Sequence, residues 1–445
     1  MGLSFFVGQV TLALPGRSWS WDEAIYLSQV MPGSPHLPWA PSRARGITYL
    51  VLPLVRGGLG ATAIRVTLGL LAAGAVVLAY RGWSRDVGRT ALLAAALFAG
   101  SWIALYYGGA VMPNLWIAIC AVGATGLALR TRTVGSTALL AATIAAAALL
   151  RPLDSIPIAI ACCVITPRKG NGSRILAIAA GVLAGLAPWI IEMSARFGGP
   201  VEALRAAGRV GHVGVEGVGL RLQRYLSLAD GALIAPVSSR ASIAVVVSVA
   251  VFAALAVLGV LSARGTEVFR PLAVVAMAGA ALLALYIFFV GGIAPRFMLP
   301  ALALLALPVA HGILALAMRR ELRIAIAAAL VVWIGWQATI VRTVATREEA
   351  LQRPFAQAGL DISRSVPSES CFVMSVRNFP QIAYRAGCDG TEAPITGAEL
   401  AELVQRARLT FAQVFLVTAP DVVVAGCLPE DTIATPGIPL TISRC

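Results

Sequence analysis

The sequence predicts an α-helical polytopic membrane protein that carries a small extracytoplasmic α/β domain at its C-terminal end. Three observations lead to this prediction. Of the 445 residues, 58% are hydrophobic and only 13% are charged, whereas soluble domains carry about 25% charged residues. Apolar runs of about 20 residues, long enough to cross a bilayer as helices, recur along the chain. Four of the seven cysteines lie beyond residue 370.

About eleven transmembrane helices are predicted. Linkers rich in arginine alternate with linkers poor in it, and placing the arginine-rich linkers in the cytoplasm puts the N-terminus inside and the C-terminus outside. The runs 136–150 and 153–166 are short and meet at Arg151-Pro152, so one broken hairpin is the alternative for this pair. The predicted spans are 1–14, 60–80, 89–109, 114–130, 136–150, 153–166, 175–194, 241–262, 271–290, 297–317 and 324–342.

The charge distribution indicates membrane topology and not a nucleic-acid partner. The formal net charge is +14, made up of +17 up to Arg342 and −3 from Thr343 onward. The positive excess lies in short loops between apolar runs, where it holds loops in the cytoplasm. We therefore expect membrane lipids as partners, no nucleic acid, and a multi-pass location in a bacterial plasma membrane.

Two domains are predicted, a transmembrane domain over 1–342 with outer loops 15–59 and 195–240, and an α/β domain over 343–445. In the second, the patterns at 371–376 and 413–418 predict buried strands, and 397–409 predicts a helix with Thr396 as its N-cap. An even number of cysteines in one small region predicts two disulfides in an oxidising compartment, with three pairings open and a zinc site as the alternative. These cysteines are Cys371, Cys388, Cys427 and Cys445.

An adjacent acidic pair follows the first predicted span. Asp22 and Glu23 are flanked by Trp21 and Tyr26, where the membrane interface meets water. One interpretation is an aromatic belt with solvated carboxylates. The other is a carboxylate that accepts a proton from a hydroxyl nucleophile.

Several basic residues on the outer side are candidates for binding an anion. Arg43 and Arg45 face outside against the usual charge rule, and a phosphate or an anionic headgroup is a reason for that placement. Arg296 is the only charge in the linker 291–300, either snorkelling at a helix end or clamping a phosphate. Arg151 is a weaker candidate, since it precedes Asp154 and pairing with it is a purely structural alternative. In the same first loop, His36 is either a second proton-transfer group or an exposed side chain.

Two short motifs resemble those of the GT-C superfamily of membrane glycosyltransferases, which includes protein O-mannosyltransferases and aminoarabinose transferases. Trp21-Asp22-Glu23-Ala24-Ile25-Tyr26 follows the first span, and Arg296-Phe297-Met298-Leu299-Pro300 begins a late span. The resemblance covers most of 1–342 in layout. It implies an inverting transfer of a sugar from a polyprenyl-phosphate donor to a hydroxyl acceptor on the outer face, the acceptor being an envelope glycan, a glycolipid or a protein.

The resemblance also implies roles for individual residues. Asp22 would be the general base, and Glu23 would assist it or position the acceptor. Arg296, with Arg43 or Arg45, would hold the donor phosphate. Further substrate contacts are expected from the side chains of Trp21, Tyr26, His36, Asn114 and Arg151.

One position departs from the pattern of the superfamily. Many relatives carry a second acidic residue in the next outer loop, where this chain has Asn114. A divalent metal prefers carboxylate ligands, so the departure favours a reaction without an obligatory metal. A divalent cation stays the alternative, and no other cofactor is expected.

Two other functions fit a polytopic membrane protein. A lipid or sugar transporter or flippase would show internal repeats and broken helices, but no internal repeat is visible. No nucleotide-binding loop is present either, which disfavours ATP-driven transport. A non-catalytic membrane scaffold is the third interpretation, and it would tolerate the loss of Asp22.

Overall fold

Helices make up most of the chain, and five strands form a small sheet near its C-terminal end. The computed structural model describes residues 1–13, 16–32, 37–130, 133–166, 172–210, 218–233, 241–290, 293–365, 370–375, 378–393, 397–418, 424, 427–433 and 440–445. The candidate residue His36 and the expected N-cap Thr396 lie outside the described residues.

The helices of the first half are α1 Gly2–Leu12, α2 Trp21–Ser28, α3 Gly46–Arg56, α4 Ala61–Arg81, α5 Ser84–Val87, α6 Arg89–Gly100, α7 Trp102–Tyr107, α8 Pro113–Leu129, α9 Val134–Leu150, α10 Pro152–Ile165 and α11 Gly172–Phe197. The later helices are α12 Pro200–Val210, α13 Val218–Ser227, α14 Ile243–Ser262, α15 Phe269–Phe289, α16 Leu299–Ala317, α17 Arg320–Ser365, α18 Phe379–Ala386 and α19 Gly397–Arg408. The strands are β1 Cys371–Ser375, β2 Asp389–Glu392, β3 Gln413–Thr418, β4 Leu428–Ile433 and β5 Leu440–Arg444.

Six helices among the described residues are long and apolar enough to cross a membrane. The protein is therefore a multi-pass membrane protein, as its composition predicted. Six further apolar helices are shorter, with 10–17 residues each. Every predicted span overlaps one of these helices, but the number of eleven crossings stays a prediction.

The helices differ from the predicted spans at two places. The span 89–109 is two helices, α6 and α7, because the chain turns at Ser101, whose hydroxyl accepts a hydrogen bond from the Ala104 backbone amide. The span 324–342 is only the apolar part of α17, which continues to Ser365. Beyond Arg342 the residues are mostly good helix formers, so the helix continues after its apolar face has ended.

The chain divides into two compact units. The first unit comprises Met1–Leu14, Pro41–Gly46 and Val66–Val344. The second comprises Pro15–Ala40, Ile47–Arg65 and Ala345–Cys445.

In the first unit, neighbouring helices approach closely through small residues. A Cβ atom on Gly312 of α16 would lie 2.2 Å from the Leu255 carbonyl oxygen of α14, and one on Gly259 would lie 1.9 Å from the Pro308 carbonyl oxygen. Glycine is required at both positions, since any side chain would force the two helices apart. Close packing of this kind is how helices associate where lipid provides no hydrophobic drive.

In the second unit, the C-terminal part folds around a five-stranded sheet of order β2-β1-β3-β5-β4. Strand β1 is parallel to both β2 and β3, while β5 is antiparallel to β3 and β4. Helix α19 covers the sheet with Leu400 and Val404, which pack with Val414 and Leu416 of β3. The predicted strands at 371–376 and 413–418 and the predicted helix at 397–409 are therefore present.

Two disulfides join the four C-terminal cysteines. Cys371 pairs with Cys388, and Cys427 pairs with Cys445. The prediction of two disulfides is confirmed, and the structure chooses one of the three pairings. The first disulfide closes a loop that contains α18, and the second joins the start of β4 to the end of β5.

Candidate active site

The acidic pair lies in the first turn of α2, in the second unit. Ser20 precedes the helix, and its backbone amide and hydroxyl donate to Glu23 Oε2 at 3.0 and 2.9 Å. Asp22 occupies the second helical position and is half-buried, whereas Glu23 is only 1% exposed. The positive end of the helix dipole favours negative charge in this turn.

Arg65, at the start of α4, holds the Glu23 carboxylate. Its Nη1 lies 2.8 Å from Glu23 Oε1, and its Nη2 donates to Oε2 at 2.9 Å. Nη2 also donates to the Ser18 carbonyl oxygen at 3.1 Å, and the guanidinium lies 4.3 Å from the centre of the Trp19 ring. Because one buried arginine binds the loop at three places, it fixes the start of α2 and with it the position of Asp22.

Arg65 was not among the residues singled out from the sequence. A signal for it was present, because it is a charged residue within the predicted span 60–80. An ionisable residue in such a run marks a functional or structural partner. Its partner was not predictable, since Glu23 lies 42 positions earlier in the chain.

The C-terminal helix α18 packs against α2 within the second unit. The rings of Trp21 and Phe379 meet edge to face, with centroids 5.1 Å apart. The Gln381 amide, assigned from its hydrogen-bond pattern, accepts from the Trp21 backbone amide and donates to the Asn378 carbonyl oxygen, both at 2.9 Å. Helix α18 therefore supports the turn that carries Asp22.

Tyr26, on the same helix as Asp22, is buried and does not face solvent. Its ring meets that of Trp39 edge to face, with centroids 5.6 Å apart. Both rings therefore stabilise the fold of the first outer segment.

The first unit contains a separate cluster of aromatic and charged residues at the start of α16. The rings of Tyr286 and Phe297 stack with centroids 5.1 Å apart and planes 6° apart. The Arg151 guanidinium lies 5.1 Å from the centre of the Phe297 ring, and the Arg296 guanidinium lies 4.9 Å from it. The structure thus brings together two arginines that were separate candidates in the sequence.

Asp154 orients one of these arginines. The buried Asp154 carboxylate accepts hydrogen bonds from Arg151 Nε at 2.7 Å and from the Tyr286 hydroxyl at 2.6 Å. Arg151 Nη2 in turn donates a hydrogen bond to the Tyr286 hydroxyl oxygen at 2.8 Å. Arg221 donates to the carbonyl oxygens of Tyr286 and Val290. Among the described residues of this cluster, three arginines outnumber one aspartate, a composition that favours anions.

The other arginine candidates have different surroundings. Arg45 is bound to Glu192, with Nη2 2.6 Å from Oε1 and Nε 3.1 Å from both carboxylate oxygens. Glu192 also pairs with Arg196 at 3.2 Å, so two arginines share this carboxylate within the first unit. Arg43 is half-buried two residues earlier.

Asn114 lies in the first turn of α8 and is 1% exposed. Its Nδ2 has no hydrogen-bond partner in the part of the chain that the structure describes. That part also contains no group of three or more His, Cys, Asp or Glu side chains close enough to hold a metal ion.

Sequence comparisons do not assign the protein. No protein-family model matches the chain, and no curated protein matches its sequence.

The fold, in contrast, matches solved structures. ArnT from Cupriavidus metallidurans bound to undecaprenyl phosphate superimposes with a TM-score of 0.68 at 12% identity, over 99% of this chain and 96% of that one. The chain has the fold of the GT-C membrane glycosyltransferases. The resemblance to the GT-C superfamily, predicted from the two short motifs, is therefore confirmed for the fold.

Two larger GT-C proteins match as well. The oligosaccharyltransferase of Archaeoglobus fulgidus, solved in complex with zinc and sulfate, has a TM-score of 0.55 at 15% identity and covers 93% of this chain and 67% of that one. The mycobacterial arabinofuranosyltransferase AftD has a TM-score of 0.55 at 13% identity, over 99% of this chain and 39% of that one. The chain described here thus spans about two fifths of the length of AftD.

Proposed function

We propose that the protein is an inverting glycosyltransferase that moves a sugar from a polyprenyl-phosphate donor to a hydroxyl acceptor. The observation that carries the proposal is the match over 99% of the chain to ArnT, which was solved with undecaprenyl phosphate. The acceptor is an envelope glycan, a glycolipid or a protein. We place the reaction on the outer face of a bacterial plasma membrane, and the predicted topology from the loop charges supports that side for α2 and the C-terminal sheet.

In the proposed reaction Asp22 is the general base. Its carboxylate takes the proton of the acceptor hydroxyl while that oxygen bonds to the anomeric carbon of the donor. The bond from this carbon to the phosphate oxygen breaks, and the polyprenyl phosphate leaves with the electron pair. Attack opposite the leaving group inverts the anomeric centre, and no covalent enzyme intermediate is needed.

Arg296 and Arg151 are the proposed ligands of the donor phosphate. Guanidinium groups stabilise the negative charge that the leaving phosphate gains in the transition state. The fixed geometry of Arg151 supports this role, because Asp154 and Tyr286 orient it before any ligand binds. We assign Arg45 a structural role with Glu192, and Glu23 the role of positioning Asp22 through Arg65. We propose no metal step.

The test is a transfer assay in membranes that contain the full-length protein. Radiolabelled undecaprenyl-phosphate hexoses and pentoses serve as donors, and label moving into the lipid-insoluble or glycolipid fraction is measured. We expect Asp22→Asn and Asp22→Ala to lose transfer by a factor of roughly 10²–10⁴, the usual contribution of a general base. Sugar transfer at the wild-type rate in both variants would refute the assignment of Asp22 as the general base. A wild-type protein that moves intact donor across the membrane without transferring its sugar would favour the flippase alternative.

A further inference from the structure

A cavity of about 110 Å³ lies beside α2, within the second unit. A single water needs roughly 10–15 Å³ by this kind of measure, so the cavity has room for several waters or for a group the size of a sugar substituent. Small side chains create this room. The lining residues are Gly16, Arg17, Ser18, Trp19, Ala61, Ala356, Gln381, Tyr384 and Arg385.

The described lining residues include two arginines and no carboxylate, and Glu349 accepts a hydrogen bond from the backbone amide of the lining residue Ser18 at 2.6 Å. Arg385 is exposed, and no ion pair joins it to an acidic side chain within the described ranges of the chain. Arg17 is buried and is electrostatically coupled to Glu348, which partly offsets its charge. Burial raises the pKa of Tyr384 to about 12, so this side chain is neutral and keeps its hydroxyl proton, which it donates to Met31 Sδ at 2.9 Å.

The cavity is joined directly to the turn that carries the proposed base. Gln381 lines the cavity and also accepts the hydrogen bond of the Trp21 backbone amide, the residue before Asp22. Ser18 and Trp19 line it from the segment that leads into α2. A ligand in this cavity would therefore contact the same residues that position Asp22.

We propose that this cavity binds the anionic group, a carboxylate or a phosphate, of an acidic saccharide acceptor. The inference rests on the proposed function, because it assigns the ligand to the acceptor side of that reaction. Arg385 provides a charge that no carboxylate of the described residues pairs with, and Arg17 adds a second positive charge that Glu348 partly offsets. Charge-assisted hydrogen bonds to guanidinium groups are the usual basis of such recognition.

The test measures ligand binding to the full-length protein in phosphatidylcholine nanodiscs, which carry no net charge. Saturation-transfer NMR is recorded with glucuronic acid, glucose 6-phosphate and glucose. Arg385→Gln removes the cation, and Ala356→Leu fills the cavity. Arg406→Gln is the matched control, because Arg406 is an exposed arginine of the same unit that is paired with Glu402 and does not line the cavity. Thermal melting confirms that each variant is folded.

We expect at least one of the two acidic sugars to bind the wild type and the Arg406→Gln variant equally well, and to bind the other two variants about tenfold more weakly. Binding of glucuronic acid alone identifies a carboxylate, and binding of glucose 6-phosphate alone identifies a phosphate. Equal binding of glucose, absence of binding by both acids, or unchanged binding in Arg385→Gln and Ala356→Leu would overturn the proposal. The Asp22→Asn variant separates the two hypotheses, since it should lose transfer and keep binding.

Discussion

Arg65 Nη1 lies 2.8 Å from Glu23 Oε1, and both side chains are almost completely buried. One member of the acidic pair in the sequence is thus committed to an ion pair, while its neighbour Asp22 is half-buried in the same helical turn. Adjacent residues of a helix point about 100° apart, so two carboxylates in succession meet different surroundings. This difference is the physical basis for assigning them different roles.

Glu23→Gln should destabilise the protein strongly, because it leaves the buried guanidinium of Arg65 without its counter-charge. Removing one partner of a buried pair costs about 3–5 kcal/mol. The matched control is Glu202→Gln, which breaks an exposed pair with Arg205 and should cost at most about 1 kcal/mol. Thermal unfolding of the purified protein in detergent measures both. Equal melting temperatures for the two variants would show that the buried pair does not stabilise the fold.

Arg296→Gln should raise the KM for the polyprenyl-phosphate donor by roughly 10- to 100-fold, the value of a lost charged hydrogen bond. Arg45→Gln is the comparison, since its guanidinium is already bound to Glu192. We expect that variant to lose stability and keep the donor KM of the wild type. Initial rates at varied donor concentration distinguish the two variants. A donor KM that changes for Arg45→Gln and not for Arg296→Gln would reverse the assignment of the phosphate ligand.

The two disulfides should differ in their effect on catalysis. Replacing Cys371 and Cys388 by serine opens the loop that contains α18, the helix whose Phe379 and Gln381 contact Trp21. Replacing Cys427 and Cys445 loosens only the β4 and β5 end of the sheet. Each loss should cost about 2–4 kcal/mol of stability, but only the first pair should also lower kcat. Similar kcat values in two folded double variants would argue against support of α2 by α18.

Stability should decrease as the pH rises, through Glu348. This residue of α17 lies beyond the apolar stretch of that helix. Burial raises the pKa of its carboxyl above 4.5, and the negative charge of Glu23 adds to the rise. The hydrogen bond from Gln352 and the charges of Arg17 and Arg347 oppose it. The folded state therefore holds this proton more tightly than the unfolded state. The free energy of unfolding should fall between pH 4.5 and the raised pKa. Melting temperatures measured across this pH interval should no longer decrease with pH in Glu348→Gln. They should still decrease in Glu402→Gln, which replaces an exposed carboxylate.

Much of the helical layout followed from the sequence because its cause is local. A run such as 241–262 is apolar throughout, and a backbone in lipid must satisfy its own hydrogen bonds, so a helix is the only solution. The strands at 371 and 413 carried their own β-branched and aromatic pattern in the same way. The continuation of α17 past Arg342 was missed, since the end of an apolar run is not the end of a helix.

The sequence singled out candidate site residues one at a time. Asp22 and Arg296 were chosen from short motifs and Arg151 from the sequence alone, and their roles stay predictions. Their surroundings were not predictable. Tyr286 bonds Asp154 across 132 positions of the chain, and no local pattern encodes such a pair.

The acidic pair shows where this division lies. The sequence by itself determined that two carboxylates follow the first apolar run, beside aromatic residues, in a chain built to cross a membrane. Only the tertiary structure decided that Glu23 is bound by Arg65 and that α18 packs on the helix of Asp22. Composition and periodicity act between neighbours in the chain, whereas a buried ion pair depends on which distant segments the fold brings within about 3 Å.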